Sequence, residues 1–193
     1  MPSLDYLRTD SLDDALSSFE LASLFFDQAQ SDNRYWKWFV IAMHSGVQGC
    51  FALALAKSHG LLVQKPGVAA KMLAAIEART EIPSPHMDNF LRLYSKLQSE
   101  GIFKSTEDLP VQRSREQEEG LKSLDELRDE FLHFNTKSWS IELALIETAA
   151  RAAIGVAQSL LLKNSVIQIY DDDAIQRAEL AIKGLAQRLH LDT

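Results

Sequence analysis

The spacing of apolar side chains along the chain predicts α-helices almost throughout. Apolar residues recur every three or four positions, and no run shows the strict alternation that is typical of a β-strand. Together with capping residues and polar breaks, this pattern predicts five main helices, near residues 11–29, 34–59, 114–134, 137–163 and 172–189. We therefore expect an all-α protein.

Residues that favour helix ends refine this prediction. Ser11 and Ser114 are each followed three positions later by a residue that can complete a capping box, so we expect both to be N-caps. Gly60 stands where a glycine commonly ends a helix. Ser84 is expected to cap a shorter helix that has Pro85 in its first position.

The order of these helices predicts an antiparallel four-helix bundle with an extra C-terminal helix, in a single domain that spans residues 1–193. Short connections at 30–33 and 135–138 make the helices that they join antiparallel neighbours. Residues 61–113, which hold two shorter helical patterns, are interpreted as a helical insertion at one end of the bundle.

The composition is that of a globular domain. Of the 193 residues, 46% are hydrophobic, which is enough to build a core and excludes a disordered chain. A single cysteine, Cys50, excludes a disulfide framework and a cysteine-based zinc site. Because the chain also has no HExxH motif and no glycine-rich phosphate-binding loop, we expect neither a metal nor a cofactor.

One uncharged stretch has the length of a membrane span. Trp38 to Ala56 carries no charged side chain over 19 positions. His44 and Gln48 interrupt its apolar character, so we expect a buried core helix and no membrane association. The acidic start of the chain does not resemble a secretory leader, and we expect a cytoplasmic protein.

The charge is unevenly distributed. A net charge of −7 argues against a protein that binds nucleic acid nonspecifically. Residues 34–104, however, hold nine basic and four acidic side chains between two acidic ends. This basic middle fits either a local surface that faces phosphate or lysines scattered over a solvated surface.

The segment from Leu124 to Phe134 holds the most informative polar residues. On a helical wheel, one apolar stripe is formed by Leu121, Leu124, Leu127, Phe131 and Phe134. Arg128 lies at the edge of this stripe, whereas Asp129 and His133 point away from it. Asp129 and His133 are also four residues apart, so they can touch on a continuous helix.

A second pair of polar residues lies in the uncharged helix. His44 and Gln48 are four residues apart among apolar neighbours. They are either buried and hydrogen-bonded to each other or close to a functional site.

The sequence RDEFLHF at 128–134 resembles the signature of the HEPN superfamily. That signature is an arginine, then a polar residue, then a histidine four to six positions after the arginine, near the end of the third helix of a four-helix bundle. The residues 137–142, with the sequence KSWSIE, and a long second helix with Trp36, Trp38, His44 and Gln48 add to the resemblance. In outline it covers residues 11–60 and 114–163.

The resemblance implies a metal-independent endoribonuclease, or a non-catalytic relative. In active families the arginine and histidine of two protomers converge in one cleft, and RNA is cut by attack of a 2′-hydroxyl on the adjacent phosphate. His133 would then be the general acid and base, because an imidazole can both accept and donate a proton near neutral pH. Arg128 would hold the scissile phosphate. Asp129 would orient the imidazole, in a position where asparagine is commoner.

Two functions follow from this resemblance as expectations. The first is an RNA-cleaving HEPN protein of a toxin–antitoxin or phage-defence system, with RNA, a second copy of the chain and an antitoxin or other partner protein as its partners. The second is a non-catalytic helical module that dimerises or binds a nucleotide or a protein. The acidic charge and Asp129 favour the second, and the presence of both Arg128 and His133 favours the first.

Overall fold

A computed structural model describes residues 6–7, 9–56, 58–99, 102–103, 109–133, 138–163 and 166–191. Seven α-helices make up most of this part of the chain: α1 (Ser11–Ala29), α2 (Tyr35–Leu55), α3 (Pro66–Ala78), α4 (Phe90–Leu97), α5 (Arg115–Leu132), α6 (Leu143–Gln158) and α7 (Asp172–Arg188). Among the described residues, β pairing is limited to one isolated bridge between Gln64 and Met87. The prediction of an all-α protein is confirmed.

Helices α1 and α2 pack closely along their length. A Cβ atom on Gly46 would lie 2.9 Å from the ring of Phe19, and one on Gly49 would lie 2.7 Å from the Cβ of Ala15. Because later positions of α1 meet earlier positions of α2, the two helices run antiparallel. The small glycine residues allow the two backbones to approach.

Helices α5 and α6 form a second close pair. A Cβ atom on Gly120 would lie 2.5 Å from the Cβ of Ala152, and one on Gly155 would lie 3.3 Å from the side-chain nitrogen of Gln117. These contacts also define an antiparallel pair.

Helix α2 is the centre of the molecule. It contacts α1, α4, α5 and α6, and it contributes several of the largest fully buried side chains, Phe39, Met43, Phe51 and Leu55. Helix α7 covers α1 and α6. Its Arg177 lies 2.6 Å from both Asp13 and Glu20 of α1, and such charge-assisted hydrogen bonds fix the two helices in register.

Among the described residues, two helical stretches are long and apolar enough to span a membrane. These are Tyr35–Leu55 and Leu143–Lys163, the second including a π-helical turn at its end, and 61% of the most apolar part of each is buried inside the protein. Buried core helices of soluble proteins share this length and composition.

Several predicted helix ends need correction. The N-cap of α1 is Asp10 rather than Ser11, because the Asp10 carboxylate accepts hydrogen bonds from the backbone N–H groups of the first turn. Helix α2 ends at Leu55, and Gly60 instead takes its positive φ of 65° within a 3₁₀ helix. Ser114 caps α5 as predicted.

Helix α4 begins later than predicted. Its N-cap is Asn89, whose side chain accepts from the backbone N–H of Arg92, and not Ser84. The preceding chain is extended because the N–H of Asp88 donates to Val63 and that of Lys65 donates to His86. Helix α4 then packs against α2 and α5, so this part of residues 61–113 contributes to the core.

Candidate functional site

Arg128 lies at the contact between α5 and α2. It is the arginine of the predicted motif, and its side chain is only 24% exposed. Asp125 stands one helical turn earlier on α5, so the two side chains lie on neighbouring positions of the same face. The closest guanidinium and carboxylate atoms of this pair, Arg128 Nη2 and Asp125 Oδ1, are 3.6 Å apart.

Helix α2 supplies the buried partner of these two residues. His44 is 2% exposed, and its Nε2 lies 2.8 Å from Asp125 Oδ1. Arg128 Nε donates to His44 Nδ1 over 3.4 Å, and Arg128 Nη2 lies 3.2 Å from His44 Nε2. The ring of Phe90 stacks on the imidazole with the centroids 4.2 Å apart. His44 is therefore fixed by α4 and α5 together.

The surroundings of His44 favour its neutral form. Burial lowers the pKa of His44, and the nearby Arg128 cation lowers it further, against the opposing hydrogen bond and charge of Asp125. One neutral tautomer satisfies both partners, with Nε2–H donating to Asp125 and Nδ1 accepting from Arg128 Nε. This arrangement, which we call the His44–Asp125–Arg128 network, holds the guanidinium in one orientation.

Asp129 pairs with Arg128 on the outer side of the network. Its carboxylate forms an ion pair with Arg128 Nη1, and the Asp129 side chain is 51% exposed. The guanidinium thus lies between two carboxylates, those of Asp125 and Asp129, and the formal charge of these three side chains is negative. The structure brings Asp129 to the arginine of the motif.

His133 lies just beyond the end of α5. The helix ends at Leu132, and His133 has extended backbone angles of φ −89° and ψ 103°, so the predicted continuation of the helix is wrong at His133. Its backbone N–H donates to the carbonyl of Asp129 over 2.9 Å. Phe134 itself lies outside the described residues.

The imidazole of His133 is exposed to solvent. Within the described ranges, its side chain makes no hydrogen bond or ion pair. The prediction that Asp129 touches it rested on a continuous helix, and the observed contact between these two residues is the backbone hydrogen bond. Arg128 and His133 therefore both lie at the C-terminal end of α5, one anchored and one open to solvent.

The sequence pattern did not point to Asp125, and it left two roles open for His44. Of these roles, hydrogen bonding with Gln48 is wrong, because both ring nitrogens of His44 face α5. Gln48 lines a different cavity, with Ser45. The one local signal for Asp125 is its spacing of three residues before Arg128, since its contact with His44 joins positions 81 residues apart.

The described part of the chain shows neither a metal-binding site nor an accessible thiol. No three His, Cys, Asp or Glu side chains cluster there in a way that could hold a metal ion. Cys50 is fully buried in α2, and burial raises the pKa of its thiol to about 12.

Comparison of the chain with family models, with curated proteins and with solved structures finds no match.

Proposed function

We propose that this chain is a HEPN-like protein whose four-helix bundle consists of α1, α2, α5 and α6. The two close antiparallel pairs and the central position of α2 support this arrangement. In this proposal α7 is the extra C-terminal helix, and residues 61–113 are the helical insertion. The RDEFLHF segment then occupies the end of the third helix of the bundle, where the HEPN signature is expected.

The proposed activity is metal-independent cleavage of RNA. The observation that carries it is that an anchored Arg128 and a solvent-exposed His133 lie at the same end of α5. A guanidinium held in place by His44 and Asp125 presents a fixed positive charge that can stabilise the charge developing on a phosphate, once the phosphate takes the place of Asp129 beside Nη1. His133 would move the proton between the 2′-hydroxyl and the leaving oxygen.

A second candidate function is a non-catalytic HEPN-like module that dimerises or binds a protein or nucleotide. It is favoured by the two carboxylates that flank Arg128. Asp125 and Asp129 offset the positive charge of the guanidinium and would repel a phosphate that approaches it.

The biological setting belongs to the same proposal. We propose a cytoplasmic component of a toxin–antitoxin or phage-defence system, with an antitoxin or other protein as its partner. The net charge of −7 would confine contact with RNA to a local surface of the protein.

The decisive experiment is an RNA-cleavage assay in excess chelator. We expect cleavage by the wild type to persist and to leave 2′,3′-cyclic phosphate ends, and we expect His133→Ala to reduce the rate about 10²- to 10⁴-fold. The exposed His86, in the loop before α4, provides the matched control His86→Ala, which should retain full activity.

The alternatives give different results in this assay. Activity that chelator abolishes and magnesium restores contradicts the metal-independent mechanism. A wild type that does not cleave any RNA offered, or equal losses in His133→Ala and His86→Ala, would favour the non-catalytic module.

A further inference from the structure

A cavity of about 360 Å³ lies between the start of α2 and the junction of α5 with α6. We call it the aromatic pocket, because its walls include Trp36, Phe131 and Trp139. Lys37 and Arg34, at the start of α2, also line it. A concave site of this size accommodates a small rigid group rather than a flat protein surface.

The rings of the aromatic pocket are held in place by the core. Trp36 is 5% exposed and meets Phe26 and Phe39 edge to face, with centroids 5.5 and 5.4 Å away. Trp139 packs on Phe131 at 5.0 Å between centroids, yet it remains 40% exposed. Trp139 is therefore held in place while part of its surface stays exposed.

The aromatic pocket adjoins the proposed catalytic end of α5. Phe131 follows Arg128 by three residues, and residues with this spacing are neighbours on a helix surface, with Cβ atoms roughly 5–6 Å apart. His133 follows Phe131 by two residues. The part of α5 that lines the pocket is thus one helical turn beyond Arg128 and directly before the end of the helix at Leu132.

The rim of the aromatic pocket carries positive charge. Lys37 lines it, and the Lys37 ammonium lies 5.1 Å from the ring centroid of the neighbouring Trp38. Arg34 also lines it, and the Arg34 guanidinium pairs with Asp32. The three tryptophans of the chain, Trp36, Trp38 and Trp139, are all found in or beside this region.

We propose that the aromatic pocket binds one unpaired base of single-stranded RNA. This inference rests on the proposed function, and it names how that site would hold its substrate. Exposed bases stack on aromatic side chains, and lysine contacts the phosphates of the same strand. Stacking of a base on Trp139, with Lys37 near the backbone, would bring an adjacent phosphate towards Arg128.

The test measures binding without cleavage. A short fluorescein-labelled strand with 2′-O-methyl groups cannot undergo 2′-hydroxyl attack, so its binding by anisotropy is independent of catalysis. The matched probe is a fully abasic backbone of the same length and charge. We expect the strand with bases to bind at least tenfold more tightly than the abasic strand.

Substitutions in the aromatic pocket should separate stacking from charge. Trp139→Ala should weaken binding of the strand with bases about tenfold and leave the abasic strand unaffected, whereas Trp139→Phe should restore most of the affinity. Lys37→Gln should weaken both strands and lower the slope of log affinity against log salt by about one. Leu180→Ala, at an exposed leucine of α7, is the surface control.

Several other outcomes of these measurements would overturn the inference. Equal binding of the two strands, or a Trp139→Ala protein that keeps its melting temperature and binds like wild type, excludes the stacked base. Tighter binding of a free mononucleotide than of the strand assigns the pocket to a nucleotide instead. Cleavage of ordinary RNA is scored separately, so a protein that binds bases without cutting refutes the proposed activity alone.

Discussion

His44 is the residue through which three helices meet at the candidate site. It belongs to α2, donates to Asp125 of α5 and stacks on Phe90 of α4. A buried imidazole in an uncharged helix needs polar partners from elsewhere, because an unpaired buried polar group is costly. The sequence could therefore indicate that His44 has a partner, but the identity of that partner depends on how α5 packs.

The first prediction concerns the stability of the protein at mildly acidic pH. Burial lowers the pKa of His44, so below the ordinary histidine pKa of 6.5 the unfolded chain takes up a proton that the folded protein does not. The contribution of His44 to the free energy of unfolding should thus be complete above pH 6.5 and should decrease as the pH drops below that value. The groups that face His44 are Asp125, Arg128 and, further out, Asp129.

Urea unfolding at a series of pH values checks this prediction. We expect His44→Gln to be less stable than wild type at pH 8 but to lose less stability between pH 7 and 5. His133→Gln, at an exposed histidine, should follow the wild-type pH dependence. Parallel curves for wild type and His44→Gln would show that His44 is not held neutral.

The second prediction concerns the carboxylate of Asp129. This carboxylate pairs with Arg128 and faces solvent, so it opposes an approaching phosphate. Asp129→Asn should tighten binding of the 2′-O-methyl strand about two- to fivefold at low salt, in keeping with the small energies of exposed charges. Glu126→Gln removes one exposed charge from the same helix and should have a smaller effect. Equal effects of the two substitutions would mean that only net charge matters.

At the scale of the helices, the sequence predicted which segments are helical better than where they end. The periodicity of α1, α5 and α7 is local information, since each of these helices buries one face, and the apolar character of α2 reflects burial on several sides. The start of α4 is set by the extended segment before it, in which the N–H of Asp88 donates to the carbonyl of Val63. The capping potential of Ser84 could not show this, because the competing hydrogen bonds come from a distant segment.

The third prediction concerns the packing of α5 on α6. An alanine at position 120 would place its Cβ 2.5 Å from the Cβ of Ala152, a distance that forces one helix to move. Such overpacking costs about 1–3 kcal/mol. The control is Gly67→Ala in the first turn of α3, where the added Cβ meets no atom within 4 Å.

Chemical denaturation of both alanine variants measures this cost. Alanine is the better helix former at either position, and the control accounts for that gain. We expect Gly120→Ala to have a free energy of unfolding about 1–3 kcal/mol below that of Gly67→Ala. If the two variants were equally stable, α5 and α6 would not be as closely packed as described.

At the scale of the whole molecule, the sequence indicated one part of the candidate site and not the other. The motif identified Arg128, Asp129 and His133 because they are close in sequence and fit a short pattern. His44 and Asp125 come together only when α2 packs on α5. The helix content was likewise predictable, whereas the contacts of α4 with the core depend on tertiary packing.

The last prediction is a two-fold homodimer with a site shared between protomers. Arg128 is anchored towards α2, and His133 lies beyond the helix end with its imidazole in solvent. A second copy would bring another Arg128 and His133 to the first pair and enclose one cleft from four side chains. Leu132, next to His133, is an apolar side chain that is 45% exposed, and a second copy seated at this end of α5 would cover it. Two-fold dimers are also the commonest oligomers of soluble proteins.

Sedimentation equilibrium at micromolar concentration should give twice the 21.7 kDa mass of the chain. Leu132→Glu should yield monomers, because a two-fold axis beside this position brings two added charges together, whereas Leu180→Glu on α7 should remain dimeric. With a cleaving wild type, mixing Arg128→Ala with His133→Ala protein should restore activity, since a mixed dimer holds one intact arginine and one intact histidine. A monomeric wild type, or mixtures that exchange subunits and are no more active than either variant alone, would exclude the shared site and leave each chain to act with its own Arg128 and His133.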